Sequence, residues 1–195
     1  MKALTAHMKP FILTAALLLL LSPAIRAADK AGPEKTIFHI SGLECASCAY
    51  SVQCALTQTP GILGAEVVQT LDSFARVSFD PKVISAHQIA QVVRDAFPLH
   101  GTPYLPTMKL RIRGYSQEGR AARVKAMFER WKKWVELEEW DAHEGECFIH
   151  FLPLVKDAKS PNPQGWRLAQ LTEALQAPAP VGLGLEFQIV EPGLP

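Results

Sequence analysis

Displaced by 72 residues, the chain falls on itself without a gap. Gly42 lands on Gly114, Ala49 on Ala121, Val52 on Val124 and Leu56 on Phe128; then Val77 lands on Ile149, Phe79 on Phe151 and Pro81 on Pro153. Few of these pairs are identical, but a single unbroken offset over that length marks a duplicated module. Whatever the first copy forms, the second must therefore form as well. In the first copy TIFHI, AEVVQT and FARVSFD alternate apolar and polar residues, as half-buried strands do. Residues 47–59 and 85–97 instead space apolar residues three and four apart, Val52 with Leu56 and Ile89 with Val92 and Val93, which predicts helices. Pro60-Gly61 and Asp72-Ser73 supply turns, and Ser85 is a suitable helix N-cap. The series is βαββα, and one more short strand completes a split βαβ, ferredoxin-like unit. That strand must lie within PLHGTPYLPT, a proline-rich linker at 98–107. The second copy diverges after CFIHFLP, where a longer polar loop, VKDAKSPNPQG, precedes a helix at about 166–176 and a last strand, LEFQIV. The expectation is an α+β chain of two ferredoxin-like βαββαβ modules in tandem, with antiparallel sheets and helices on one face.

The N-terminus reads differently. Lys2 and Lys9 precede the apolar run FILTAALLLLL, and Ser22, Pro23, Ala24 and Ala27 follow it. That order is expected of a secretory signal peptide over residues 1–27. The run is shorter than the roughly 20 residues a spanning helix needs, so the cleaved chain is not expected to span a membrane. The modules then fall at 35–104 and 105–195, in the periplasm or outside the cell. Removing residues 1–27 takes Lys2, Lys9 and Arg26 with no acid, and the 20 basic and 19 acidic residues become 17 and 19. A slightly acidic protein is a poor match for a nucleic acid held by charge.

Four cysteines remain to be explained: Cys45, Cys48, Cys54 and Cys147. Only SGLECASCAYSV, residues 41–52, holds a close pair. Cys45 sits in the loop after the first strand and Cys48 at the start of the first helix, where free N–H groups and partial positive charge favour thiolate. Two thiolates on one loop suit a soft ion, near-linear for Cu(I) or Hg(II), or part of a tetrahedral set for Zn(II). The rival use of such a pair is thiol-disulfide exchange, but in thioredoxin-like folds the pair follows a later strand of a βαβ unit. Haem attachment would need a histidine where Ala49 stands. Cys54 falls off the apolar stripe as a partly exposed bystander, and Cys147, in register with Ile149 and Phe151, is expected in the core. His39 and His150 should face the open side of the sheet, and His87 is an early helix residue. His100 belongs to the linker, which could bring it towards the cysteine loop from below the second helix.

The stretch SGLECASCAYSVQCALTQTPGILGAEV, followed by VSFDP and ISAHQIAQVVRDAF, resembles the heavy-metal-associated domain. That family includes copper chaperones, the periplasmic mercury-binding protein and the N-terminal modules of metal-transporting P-type ATPases. The resemblance covers residues 35–100 and implies metal binding by Cys45 and Cys48, with Cu(I) the first choice and Zn(II) or Hg(II) the alternatives. It also implies a metal-transporting membrane protein or another metal acceptor as partner. Two departures stand out. Copper-handling members usually carry methionine where this chain has Leu43. Glu44 occupies a place where zinc-exporting relatives often have an acidic residue; a carboxylate there is either a hard ligand favouring Zn(II) or an exposed loop residue.

In the second module Gln117 and Arg120 stand where Cys45 and Cys48 stand in the first, so it has lost the thiols. All four tryptophans, Trp131, Trp134, Trp140 and Trp166, fall in this half, and some are expected at a partner or inter-module surface. No nucleophile with a base beside it and no paired acids appear, so no enzyme is expected. The chain reads as an exported soft-metal binding and transfer protein, with a thiol-redox protein or an adaptor with a vestigial site as alternatives.

Overall fold

In the computed structural model, which describes residues 32–155 and 160–193, eleven elements follow the duplicated order. The first module is β1 (Glu34–Ser41), α1 (Ala46–Thr57), β2 (Ile62–Val68), β3 (Phe74–Phe79) and α2 (Ala86–Asp95). The second is β4 (Leu105–Ile112), α3 (Arg120–Glu129), β5 (Val135–Asp141), β6 (Glu146–Phe151), α4 (Leu168–Gln176) and the short β7 (Phe187–Ile189). The 72-residue offset carries β3 onto β6, and Val77, Phe79, Val52 and Leu56 are buried along with their counterparts Ile149, Phe151, Val124 and Phe128. The segment expected to be a signal peptide lies outside the described residues. Among the described residues no helix is long and apolar enough to cross a membrane.

The helices start where their caps place them. Ser85 accepts from the Gln88 N–H while the Gln88 side chain accepts from the Ser85 N–H, a reciprocal capping box opening α2. The α1 helix is capped instead by sulfur, because Cys45 is its N-cap residue and accepts from the Cys48 N–H.

The strands form one sheet. Its order is β2-β3-β1-β4-β6-β5, with β7 also paired to β4. Reading β2-β3-β1-β4 gives the ferredoxin-like order with β4 as fourth strand; reading β7-β4-β6-β5 gives the same order with β4 as first strand. One strand thus serves both modules. Its first residues pair with β1, Leu105 with Ser41 and Thr107 with His39, and its last pair with β7, Leu110 with Ile189 and Ile112 with Phe187. The missing fourth strand is therefore in the segment expected to hold it, but Leu105–Thr107 is strand and not linker, and no linker separates the modules after Tyr104. Because β4 runs antiparallel to β1, the loop after β1 and its counterpart after β4 open at opposite ends of the sheet.

A single apolar cluster runs beneath both modules. Phe38 meets Phe151 at 5.6 Å between ring centroids, Phe151 meets Trp166 at 5.9 Å, and Trp166 meets Trp131 at 6.0 Å. Trp166, taken from the sequence as the start of a helix, lies before α4 and is fully buried; Trp140 is exposed, packing its edge on Phe148.

His87 is also buried in this seam, where its helical position alone gave no hint of a tertiary role. Its Nε2–H donates to the Leu152 carbonyl at 2.7 Å, and its Nδ1 accepts the Trp166 N–H at 3.2 Å. Burial holds its pKa below the ordinary histidine value, with the charge of Arg94 adding to the shift and the Leu152 hydrogen bond opposing it. Protonation would cost the Trp166 bond. The folded form therefore prefers neutral imidazole, and the stability this contributes is present above the unfolded histidine pKa of about 6.5 and is lost as pH falls through the lower folded value. Urea midpoints should show it: the advantage of the wild-type protein over His87→Gln should shrink between about pH 7.5 and pH 5.

Candidate metal centre

The cysteine loop is built by a glycine and a helix start. Gly42 ends β1 with φ +89°, and a Cβ there would lie 2.7 Å from the Pro103 carbonyl oxygen, so the loop needs glycine both to turn and to approach its neighbour. Leu43 is buried beneath the loop, filling the place where methionine is usual. Cys45 then caps α1 and Cys48 lies in its first turn, which sets the two sulfurs 3.2 Å apart as free thiols. Cys48 is buried, whereas Cys45 is partly open to solvent. The Cys48 thiol and the Cys48 backbone N–H hold the Cys45 thiol below the usual cysteine range, against a smaller opposing effect of burial and of Glu44. The more accessible sulfur is therefore biased towards thiolate.

A second loop completes the surroundings. Residues 97–104 join α2 to β4 at the same end of the sheet. Tyr104 is buried under this loop, with its hydroxyl donating to the Phe97 carbonyl at 3.3 Å and accepting from the Leu99 N–H at 3.4 Å. The same hydroxyl reaches the Cys48 thiol. Ser51 of α1 donates to the Phe97 carbonyl at 3.0 Å, and Thr102 donates to the Glu44 carboxylate at 3.0 Å. So held, the loop brings His100 Nε2 to 3.3 Å from Cys45 Sγ. Ligand atoms of Cys45, Cys48 and His100 all lie within 4.8 Å of one another.

Sequence reasoning chose Cys45 and Cys48 and placed His100 only as a linker residue able to approach them. The stronger signal was topological: in a βαββαβ unit the loop after the first strand and the loop before the fourth emerge at one end of the sheet. Glu44 is exposed, is held by Thr102 and does not join the converging group. Cys54 is half-buried on α1 and also stays outside it, as expected of a bystander. Cys147 is fully buried, and burial pushes its thiol up to about 11, which fits an inert core residue. His39 and His150 engage the Val190 carbonyl and the Glu138 carboxylate and do not join the converging group. In the second module a Cβ on Gly114 would lie 2.5 Å from Arg120 Nη1 and 3.3 Å from Gln117 Nε2, so the residues that replaced the thiols crowd over the loop glycine.

No protein-family model matches the chain. A stretch of 59 residues is 39% identical to a cation-transporting ATPase of Oryza sativa subsp. japonica, covering 30% of this chain and 6% of that protein. Another match, 36% over 62 residues, is to copper-transporting ATPase 2 of Rattus norvegicus and covers 32% of this chain and 4% of the relative. Among solved structures, a copper-binding domain from a P-type ATPase is 34% identical, with 82% of that domain and 32% of this chain covered and a TM-score of 0.30. The first module is thus similar in sequence to a short part of these metal-transporting ATPases. The match to the water-soluble region of the P-type ATPase CopA from Bacillus subtilis covers more, 81% of this chain and 91% of that one, at 18% identity and a TM-score of 0.37. This chain spans only about a twentieth of the length of the ATPases it matches.

Proposed function

We propose that this protein is a non-enzymatic carrier that binds one soft metal ion, Cu(I) first, at Cys45 and Cys48 and hands it to a metal acceptor such as a metal-transporting membrane protein. The observation that carries the reading is the pair of free sulfurs 3.2 Å apart, one buried and one partly exposed at a helix start. Thiolate is the soft ligand that selects Cu(I). A buried sulfur retains the ion while the accessible one is free to exchange with an incoming thiolate, which suits transfer more than storage. Copper is placed first because relatives and a matched domain are named for it. Glu44, the residue that would favour zinc, is turned to Thr102. The N-terminal signal-like segment supports a periplasmic or extracellular setting.

The test is a titration of reduced, oxygen-free protein with Cu(I) and Zn(II) against calibrated chelators. One Cu(I) per chain, held in preference to Zn(II), is the expected result. No bound ion, with thiol-exchange activity in the metal-free protein, would move the assignment to redox chemistry.

A further inference from the structure

We propose that His100 is a third ligand of the ion, making a three-coordinate centre of two sulfurs and one nitrogen from which the imidazole is the leaving ligand in transfer. The inference rests on the soft-metal reading above and adds to it a residue outside the cysteine motif.

Distances favour three ligands over two. With metal–sulfur bonds of about 2.3 Å, a linear pair needs its sulfurs about 4.6 Å apart, whereas a trigonal site needs them about 4.0 Å apart and each sulfur about 3.8 Å from a nitrogen. The sulfurs stand at 3.2 Å and His100 Nε2 at 3.3 Å from Cys45 Sγ, with all three atoms inside 4.8 Å. Trigonal binding therefore asks the two thiols to part by roughly 0.8 Å, and linear binding by roughly 1.4 Å.

His100 is also more than a surface side chain that happens to be near. Its loop is fastened on both sides: to α1 through Ser51, to the cysteine loop through Thr102 and Glu44, and to the core through Tyr104. The Gly101 N–H closes back on the Pro98 carbonyl at 3.3 Å, fixing the turn that carries the ring. Among the described residues the imidazole has no hydrogen-bond partner but Cys45, so coordination breaks nothing else. With Nε2 as ligand, the ring proton resides on Nδ1.

The unlike ligand gives the site an order of release. An incoming acceptor thiolate forms a metal–sulfur bond as the metal–Nε2 bond breaks; the imidazole leaves neutral, and the metal's oxidation state does not change. Both cysteines stay bound until a second acceptor ligand arrives. Imidazole, the borderline donor of the set, is easier to displace from Cu(I) than thiolate.

The test uses the full chain loaded with Cu(I), wild type beside His100→Ala and Cys45→Ser. His100 is exposed, so its replacement should leave the fold intact, and circular dichroism checks this. X-ray absorption should report three-coordinate Cu(I) with one nitrogen in the wild type and a two-coordinate sulfur-only centre in His100→Ala. Chelator competition should show affinity falling at least about tenfold in that variant while one Cu(I) is still bound. A wild-type centre that is sulfur-only, or a His100→Ala protein with unchanged spectrum and affinity, overturns the third ligand and leaves the thiolate reading standing. Wild-type protein that binds no Cu(I) overturns both.

Discussion

Serine at either Cys45 or Cys48 is expected to abolish tight Cu(I) binding, while Cys54→Ser leaves it unchanged. Each of the first two replacements removes one of two soft donors and puts in its place a hydroxyl that stays protonated near neutral pH and binds Cu(I) poorly. A loss of about a thousandfold or more is expected, roughly 4 kcal/mol at 1.4 kcal/mol per tenfold. The two variants should differ in one respect. Cys45 is also the N-cap of α1, but serine is itself a favoured cap, so Cys45→Ser should lose metal without loosening the helix. Cys48 is buried beside the Tyr104 hydroxyl, and serine there carries a small stability cost as well. Competition titration measures the first effect and thermal melting of metal-free protein the second. Retention of wild-type affinity in either cysteine variant would remove the basis for a thiolate centre.

Truncating Trp166 to alanine should be the most damaging single change to stability. Its side chain is fully buried and sits among Trp131, Phe151 and the His87–Leu152 contact, where residues of both modules meet. Large-to-small replacement of a buried aromatic costs about 3–5 kcal/mol, a large share of the 5–15 kcal/mol that holds a typical domain folded. At about 2–4 °C per kcal/mol, the midpoint should drop by roughly 10 °C. Because the cluster is continuous, loss should appear as one shifted transition in both far-ultraviolet circular dichroism and tryptophan fluorescence. A first module that melts unchanged while the second unfolds early would contradict the shared core.

What could be read from the sequence, and what could not, divides along contact range. The alternation in FARVSFD and CFIHFLP marked β3 and β6, and the Ser85 cap marked the start of α2, because strand alternation and capping are local. The cysteine pair was legible for the same reason, its chemistry lying within four residues. For His100 only a possible approach could be read, since its meaning depends on 55 residues of intervening chain returning to the cysteine loop. The burial of His87, correctly placed early in its helix, and the position of Trp166 before its helix were hidden for a related reason. One looked like an early helix residue and the other like a helix start, and their burial follows from a contact 79 residues apart in sequence. The double role of β4 was hidden because the repeat offset assigns each residue to one copy, whereas hydrogen bonding along both edges lets a strand belong to two.

That shared strand has a mechanical consequence. Multi-module proteins usually adjust to a partner by swivelling at a joint, but here any swivel between the halves would have to unzip β4 from β1 or shear the aromatic seam beneath it. With no joint of that kind between them, the shape offered to the proposed acceptor is fixed in advance. Accommodation in the proposed docking must then come from the acceptor, or from the few residues between Phe97 and Tyr104 that border the sulfurs.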